Sequence, residues 1–82
     1  MNVPQEFVLN HPVTMGDETI SKITIKRRVL TKDLRAMEGE KNDVGKVVLL
    51  IEKLTDESSA LIDHMDASDF KRLSEVVSSF LS

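Results

Sequence analysis

The stretch KVVLLIEKL, Lys46–Leu54, places five apolar residues in succession, Val47 to Ile51, within a chain of 82 residues. A strand buried on both faces would read this way, and so would a central helix or a surface that holds another protein's apolar segment. Periodicity favours the helix. At about 100° per residue, Val44, Val47, Val48, Leu50, Ile51 and Leu54 fall on one arc of roughly 160°, and the pattern runs past both ends of the apolar run. Two valines and an isoleucine keep a strand as the alternative. The helix is expected over 43–54, capped by Asn42 or Asp43. Leu49 lies off the arc, among Gly45, Lys46, Glu52 and Lys53.

Working outward, the residues before this helix read as strands and those after it as helices, the order of a segregated α+β domain. FVLNHPV alternates Phe7, Leu9, His11 and Val13, and ISKITIKRRV alternates Ile23, Ile25 and Arg27 against Lys22, Thr24 and Lys26. Gly16 and Asp17 supply turn chemistry between them. A hairpin is expected over about 6–28, with strands near 6–13 and 20–28 and a loop longer than two residues. Pro12 lacks a ladder donor and belongs at an edge or strand end. Thr31 can cap a short helix over 32–38 that Gly39 ends, with Asp33 in its first turn. Ser58 or Ser59 opens another over 59–64, carrying Leu61, Ile62 and Met65, and Asp66 caps the last, 67–81. On that helix Phe70, Leu73, Val76, Val77, Phe80 and Leu81 span an arc of about 140°, with Asp69 in the first turn. Leu73, Val77 and Phe80 are expected in the core, as are the flexible side chains of Met15, Met37 and Met65 at the core or in turns.

The composition restricts what such a chain can do. With 40% hydrophobic and 30% charged residues and a net charge of −3, one folded domain spanning 1–82 is expected, with room for a single core. There is no Cys, which removes disulfides, thiolate metal sites and thiol nucleophiles. The longest apolar run is five residues, far short of the roughly 20 that cross a bilayer, and no signal peptide is expected. Aromatic content is 4%, all Phe, so the stacking platforms of single-strand nucleic-acid binders are missing.

Catalytic apparatus is not visible. His11 and His64 stand on different elements without metal-ligand spacing, so no metal site is expected. Ser59, Asp63 and His64 are the residue types of a hydrolase triad, but Asp63 and His64 are helix neighbours pointing about 100° apart. A capping serine and a solvated Asp-His pair explain them as well. The glycines, at 16, 39 and 45, form no phosphate-cradling loop, and no cofactor is expected. Lys26, Arg27 and Arg28, with Lys32 and Arg35, form the one cationic cluster. A small nucleic-acid-binding regulator would use them, whereas a solvated strand end that discourages edge pairing is the plainer reading in an acidic chain.

FVLNHPVTMGDETISKITIKRRVLTKDLRAME, VVLLIEKLT and LIDHMDASDFKRLSEVVSSFL, in that order and over nearly the whole chain, resemble the tail assembly chaperones of contractile-tailed bacteriophages and prophages. The likeness lies in a hairpin ending in IKRR, a TKDLRAME helix start, a helix closing on LIEKLT, and a last helix after the LDxxD-like residues Ile62, Asp63, Met65, Asp66 and Asp69. Thr55-Asp56 departs from the glycine or apolar residue such proteins often carry after LT. The resemblance implies a non-enzymatic protein acting in the host bacterial cytoplasm, binding the largely helical tape measure protein and helping to bring tail tube subunits to it. It also implies that a longer frameshifted form of the chain can accompany it.

Leu49 is the apolar residue its own helix does not need. Gly45, one turn earlier, would allow a helix to approach, and Lys46 and Lys53 could frame an apolar contact, so Leu49, Lys46, Lys53 and Gly45 are the candidate partner-binding residues. A homo-oligomer could bury Leu49 across a two-fold axis. Solvent exposure and burial within the chain are the other outcomes.

Overall fold

A computed structural model of the chain describes residues 3–80. The alternating segments form an antiparallel hairpin, β1 (Gln5–Met15) and β2 (Glu18–Ile25), and the helical periodicities form α1 (Thr31–Met37), α2 (Asp43–Thr55), α3 (Ser59–Asp63) and α4 (Ala67–Ser79). The domain is α+β, as expected. The opening stretch is helix. No helix among the described residues is long and apolar enough to cross a membrane.

The inner face of the hairpin carries Phe7, Leu9, Val13, Ile23 and Ile25, which pack against Leu50, Ile51, Leu54, Leu61, Ile62, Leu73 and Val77. Met65 is buried with them, while Met15 and Met37 lie half-buried beside them. Leu73 and Val77 are fully enclosed, but Phe80 closes the end of α4 only half-buried. Leu81 lies outside the described residues. Val44 corrects the helical-arc reading. It is 63% exposed, because α2 gains depth along its length from half-buried Val47 and Val48 to fully buried Ile51 and Leu54. Its first turn lies beyond the part of α2 that the core encloses, and Val44 borders a surface depression instead.

The hairpin also differs from expectation. Met15 pairs with Glu18, so the loop is two residues, not longer. Gly16 takes φ 64° at the first central position, where a type II′ turn calls for glycine. The surplus residues lie in β1. Val8 pairs with Lys22 and Val13 with Ile20, so Leu9, Asn10, His11 and Pro12 together oppose Ser21. This bulge turns His11 out to solvent, whereas strict alternation places it inward. It also frees the N–H groups of Asn10 and His11 from the ladder.

Asp69 takes both. Its carboxylate, fully enclosed in the first turn of α4, accepts from Asn10 N at 3.1 Å and His11 N at 2.8 Å, and from Arg72 Nη1 at 2.7 Å. Arg72 also donates to the Val8 carbonyl and lies 4.7 Å from the centroid of the Phe7 ring. Burial pushes the Asp69 carboxyl up, yet the two N–H groups and Arg72 outweigh it and hold the group below the usual carboxylate range.

A second buried carboxylate organises the exit from β2. Lys26 N–H leaves the ladder for the Leu54 carbonyl at 2.8 Å, and Arg27 makes a two-pronged bond to Asp33 at 2.8 and 2.9 Å. Leu30 and not Thr31 stands at the cap of α1; its side chain makes no capping bond, and Asp33 in the first turn reaches back to accept from the Leu30 N–H. The Arg27 hydrogen bond, opposed by burial and aided by Leu30 N–H, lowers the Asp33 carboxyl to about 2. Asn42 caps α2, Ser58 caps α3 and Asp66 caps α4. Asp56 ends α2 at φ 60°, the left-handed position where glycine is the least strained residue.

Three outcomes follow from these contacts. Asp69→Asn, which offers the bulge an amide in place of a carboxylate, should cost about 2–3 kcal/mol in urea unfolding; a loss below about 1 kcal/mol would mean that water serves the bulge equally well. Asp33 and Asp69 are both held below their unfolded value, so the stability they contribute is present above pH 3.8 and is lost as pH falls through their lowered folded values, about 2 for Asp33. Acid unfolding followed by circular dichroism should show that fall, with a shallower slope in Asp33→Asn. Asp56→Gly should raise stability by about 0.5–1 kcal/mol, since it removes left-handed strain and loses only an exposed ion pair to Lys26; a lower melting temperature would contradict this.

Candidate functional site

Three surfaces carry the side chains that the sequence singles out. The first is the outward side of α2. Leu49 is half-buried and lines an open depression with Lys53, Glu52, Arg27, Asp56 and Glu57. Leu49 is thus the one apolar side chain in a ring of charges. Lys46 and Gly45 sit a turn earlier on α2 and do not line this depression. The Gly45 N–H donates to the Asn42 side chain at 2.6 Å, and a Cβ there would stand 2.9 Å from Glu40 Oε2 and 3.2 Å from Asn42 Oδ1. Its smallness serves the cap of its own helix.

The second surface is the apolar groove that sequence periodicity conceals. Ile62 and Met65, both buried, form its floor, and Val44, Val48, Ala67 and Phe70 its walls, with Asp63 as the charged lining residue. The depression measures about 210 Å³. Val44 and Val48 meet the criteria for core residues in sequence, and only their exposure in the fold shows that they are not fully covered. Asp66, beside the groove at the α4 cap, is held below its usual range by the hydroxyl and then the N–H of Ser68, and by His11.

The third is the cationic cluster, which the fold divides. Lys26 lies 3.5 Å from Asp56, and Arg27 is locked onto Asp33. Arg28, Lys32 and Arg35 have no ionic partner among the described residues. The five cations therefore do not form one phosphate-facing set.

The residues of a hydrolase triad are not assembled. His64 Nδ1 is 2.8 Å from the Ala60 carbonyl of its own helix, and no hydrogen bond among the described residues joins Ser59, Asp63 and His64. Among the described residues no three His, Asp or Glu side chains converge in a way that could hold a metal ion. What the surface does offer is this small, open and mainly apolar depression, with the flexible side chain of Met65 among its lining.

A family model described as "Phage tail assembly chaperone proteins, E, or 41 or 14" matches residues 6–82. No curated protein and no solved structure matches the chain.

Proposed function

Because the chain belongs to the phage tail assembly chaperone family, we propose that it is a non-catalytic chaperone that holds a helical segment of the tape measure protein in the groove between α2, α3 and α4. The observation that supports this most is the groove itself: Val44, 63% exposed, borders an apolar depression that no segment among the described residues covers. An amphipathic helix presenting residues at i, i+3, i+4 and i+7 would bury Val44, Val48 and Phe70 and leave its polar face in water. The charged depression around Leu49 and Lys53 would act as a flanking contact for the same protein, with mobile charges at its rim. In this reading the chain works in the host cytoplasm, keeps the tape measure protein soluble and helps tail tube subunits to reach it.

Val44→Glu and Leu49→Glu separate the two surfaces. Val44→Glu should leave the melting temperature near that of the wild type and weaken capture of the tape measure protein by about 10- to 100-fold, the loss of about 1–3 kcal/mol expected for a central apolar contact. Leu49→Glu should weaken it far less. The reverse order would move the site to the Leu49 face, and no capture by the wild-type chain would end the reading.

A further inference from the structure

Asp63 is the charged residue in the lining of the apolar groove. It closes α3, next to the buried Ile62, and its side chain is exposed. Nothing in its own chain accounts for a carboxylate at that point. Among the described residues it has no ionic partner. The cap of α4 is Asp66, three residues on, and the last turn of α3 contains no basic residue. The end of a helix gathers unpaired backbone carbonyls, so a cation is favoured there and an acid is not.

Other depressions on this surface hold both signs of charge. Around Leu49, Glu52, Asp56 and Glu57 stand with Arg27 and Lys53, and on α1 Glu38 stands with Lys32 and Arg35. The groove is lined by an acid and by no lysine or arginine, and every other lining residue is apolar. The enclosed carboxylates, Asp33 and Asp69, are each met by an arginine of the chain. Asp63 is met only by water, which an occupant of the groove would displace in part. A wholly apolar or acidic occupant would leave the carboxylate poorer in partners than before, whereas an occupant that brings its own cation replaces what it removes.

We propose that Asp63 sets the charge of what the groove accepts: a helix whose apolar side chains enter the depression and whose lysine or arginine reaches the Asp63 carboxylate. The inference rests on the groove being the tape measure site, and it narrows the ligand of that site from any amphipathic helix to a basic one. The long apolar stem of a lysine or arginine can lie along the groove wall while its charged head stays at the wet rim. A rim charge of this kind acts on the rate of association and on the choice of partner more than on affinity.

Biolayer interferometry of tape measure protein fragments on the immobilised chain, at low and high salt, tests this. Asp63→Asn should slow association about two- to fivefold at low salt, as expected of one exposed charge pair, and flatten its salt dependence. Asp63→Lys should weaken binding about tenfold or more, since like charges then face each other. Glu75→Gln, which removes the same charge from an exposed residue outside the lining, should change neither. Replacement of one basic residue of the bound fragment by glutamate should restore binding to Asp63→Lys, a coupling that a loss of structure cannot imitate. Full binding by Asp63→Asn and Asp63→Lys, with binding lost in Val44→Glu, would overturn the role of Asp63 and leave the groove in place. Equal losses in Asp63→Asn and Glu75→Gln would reduce the effect to overall charge and overturn it as well. Binding that survives Val44→Glu would remove the groove itself, and this role of Asp63 with it.

Discussion

The bulge in β1 is tied to the rest of the fold through the Asp69 carboxylate. Two strands joined by a two-residue loop have no room for unpaired residues, yet β1 sets Leu9 to Pro12 against Ser21 alone. The freed N–H groups of Asn10 and His11 need acceptors, and an unmet buried donor costs about as much as a hydrogen bond is worth in a dry interior. Asp69 provides both from the first turn of α4, a helix nearly sixty residues away in sequence. It thereby fixes where α4 begins. Because Ala67 and Phe70 lie two residues before and one residue after it, the same bond sets one wall of the groove that Val44 and Val48 complete.

Asp33 has a parallel role at the other end of the hairpin. Enclosed carboxylates are expensive unless each oxygen is met, and here every oxygen has a donor, each carboxylate taking an arginine and at least one backbone N–H. Both arginines remain partly in water, Arg27 34% and Arg72 41% exposed at the side chain, so neither ion pair removes both charges from solvent. These pairs act as joints between segments that an apolar core alone would leave free to slide. With one joint holding α4 to β1 and the other holding α1 to the exit of β2, the helices can leave an apolar groove open without collapse.

Residues whose role is set by neighbours in sequence were readable from the chain alone. The caps at Asn42, Ser58 and Asp66, the turn at Gly16, and the helical state of Lys46–Leu54 depend on local hydrogen bonds and on 3.6-residue periodicity. The tail-chaperone resemblance, resting on the order of such segments, agrees with the family match over 6–82. Residues whose role depends on distant partners were not readable. Asp69 reads as an ordinary first-turn acid, His11 as an inward strand residue, and Thr31 as a better cap than Leu30. The groove was hidden for the same reason. Periodicity shows that Val44 shares a face with Ile51, but it cannot show that the packing leaves Val44 63% exposed. The pattern of single apolar residues drew attention to Leu49 instead, which the fold surrounds with charge.

The account turns on whether the α2–α4 groove is where the tape measure protein sits, and methyl NMR of the labelled chain reports this residue by residue. Titration with tape measure protein fragments should shift the methyl signals of Val44, Val48, Ile62 and Met65 together, while those of Leu49 move little and those of Leu30 and Leu34 stay in place. Shifts centred on Leu49, with the Val44 and Val48 signals unchanged at saturation, would contradict it.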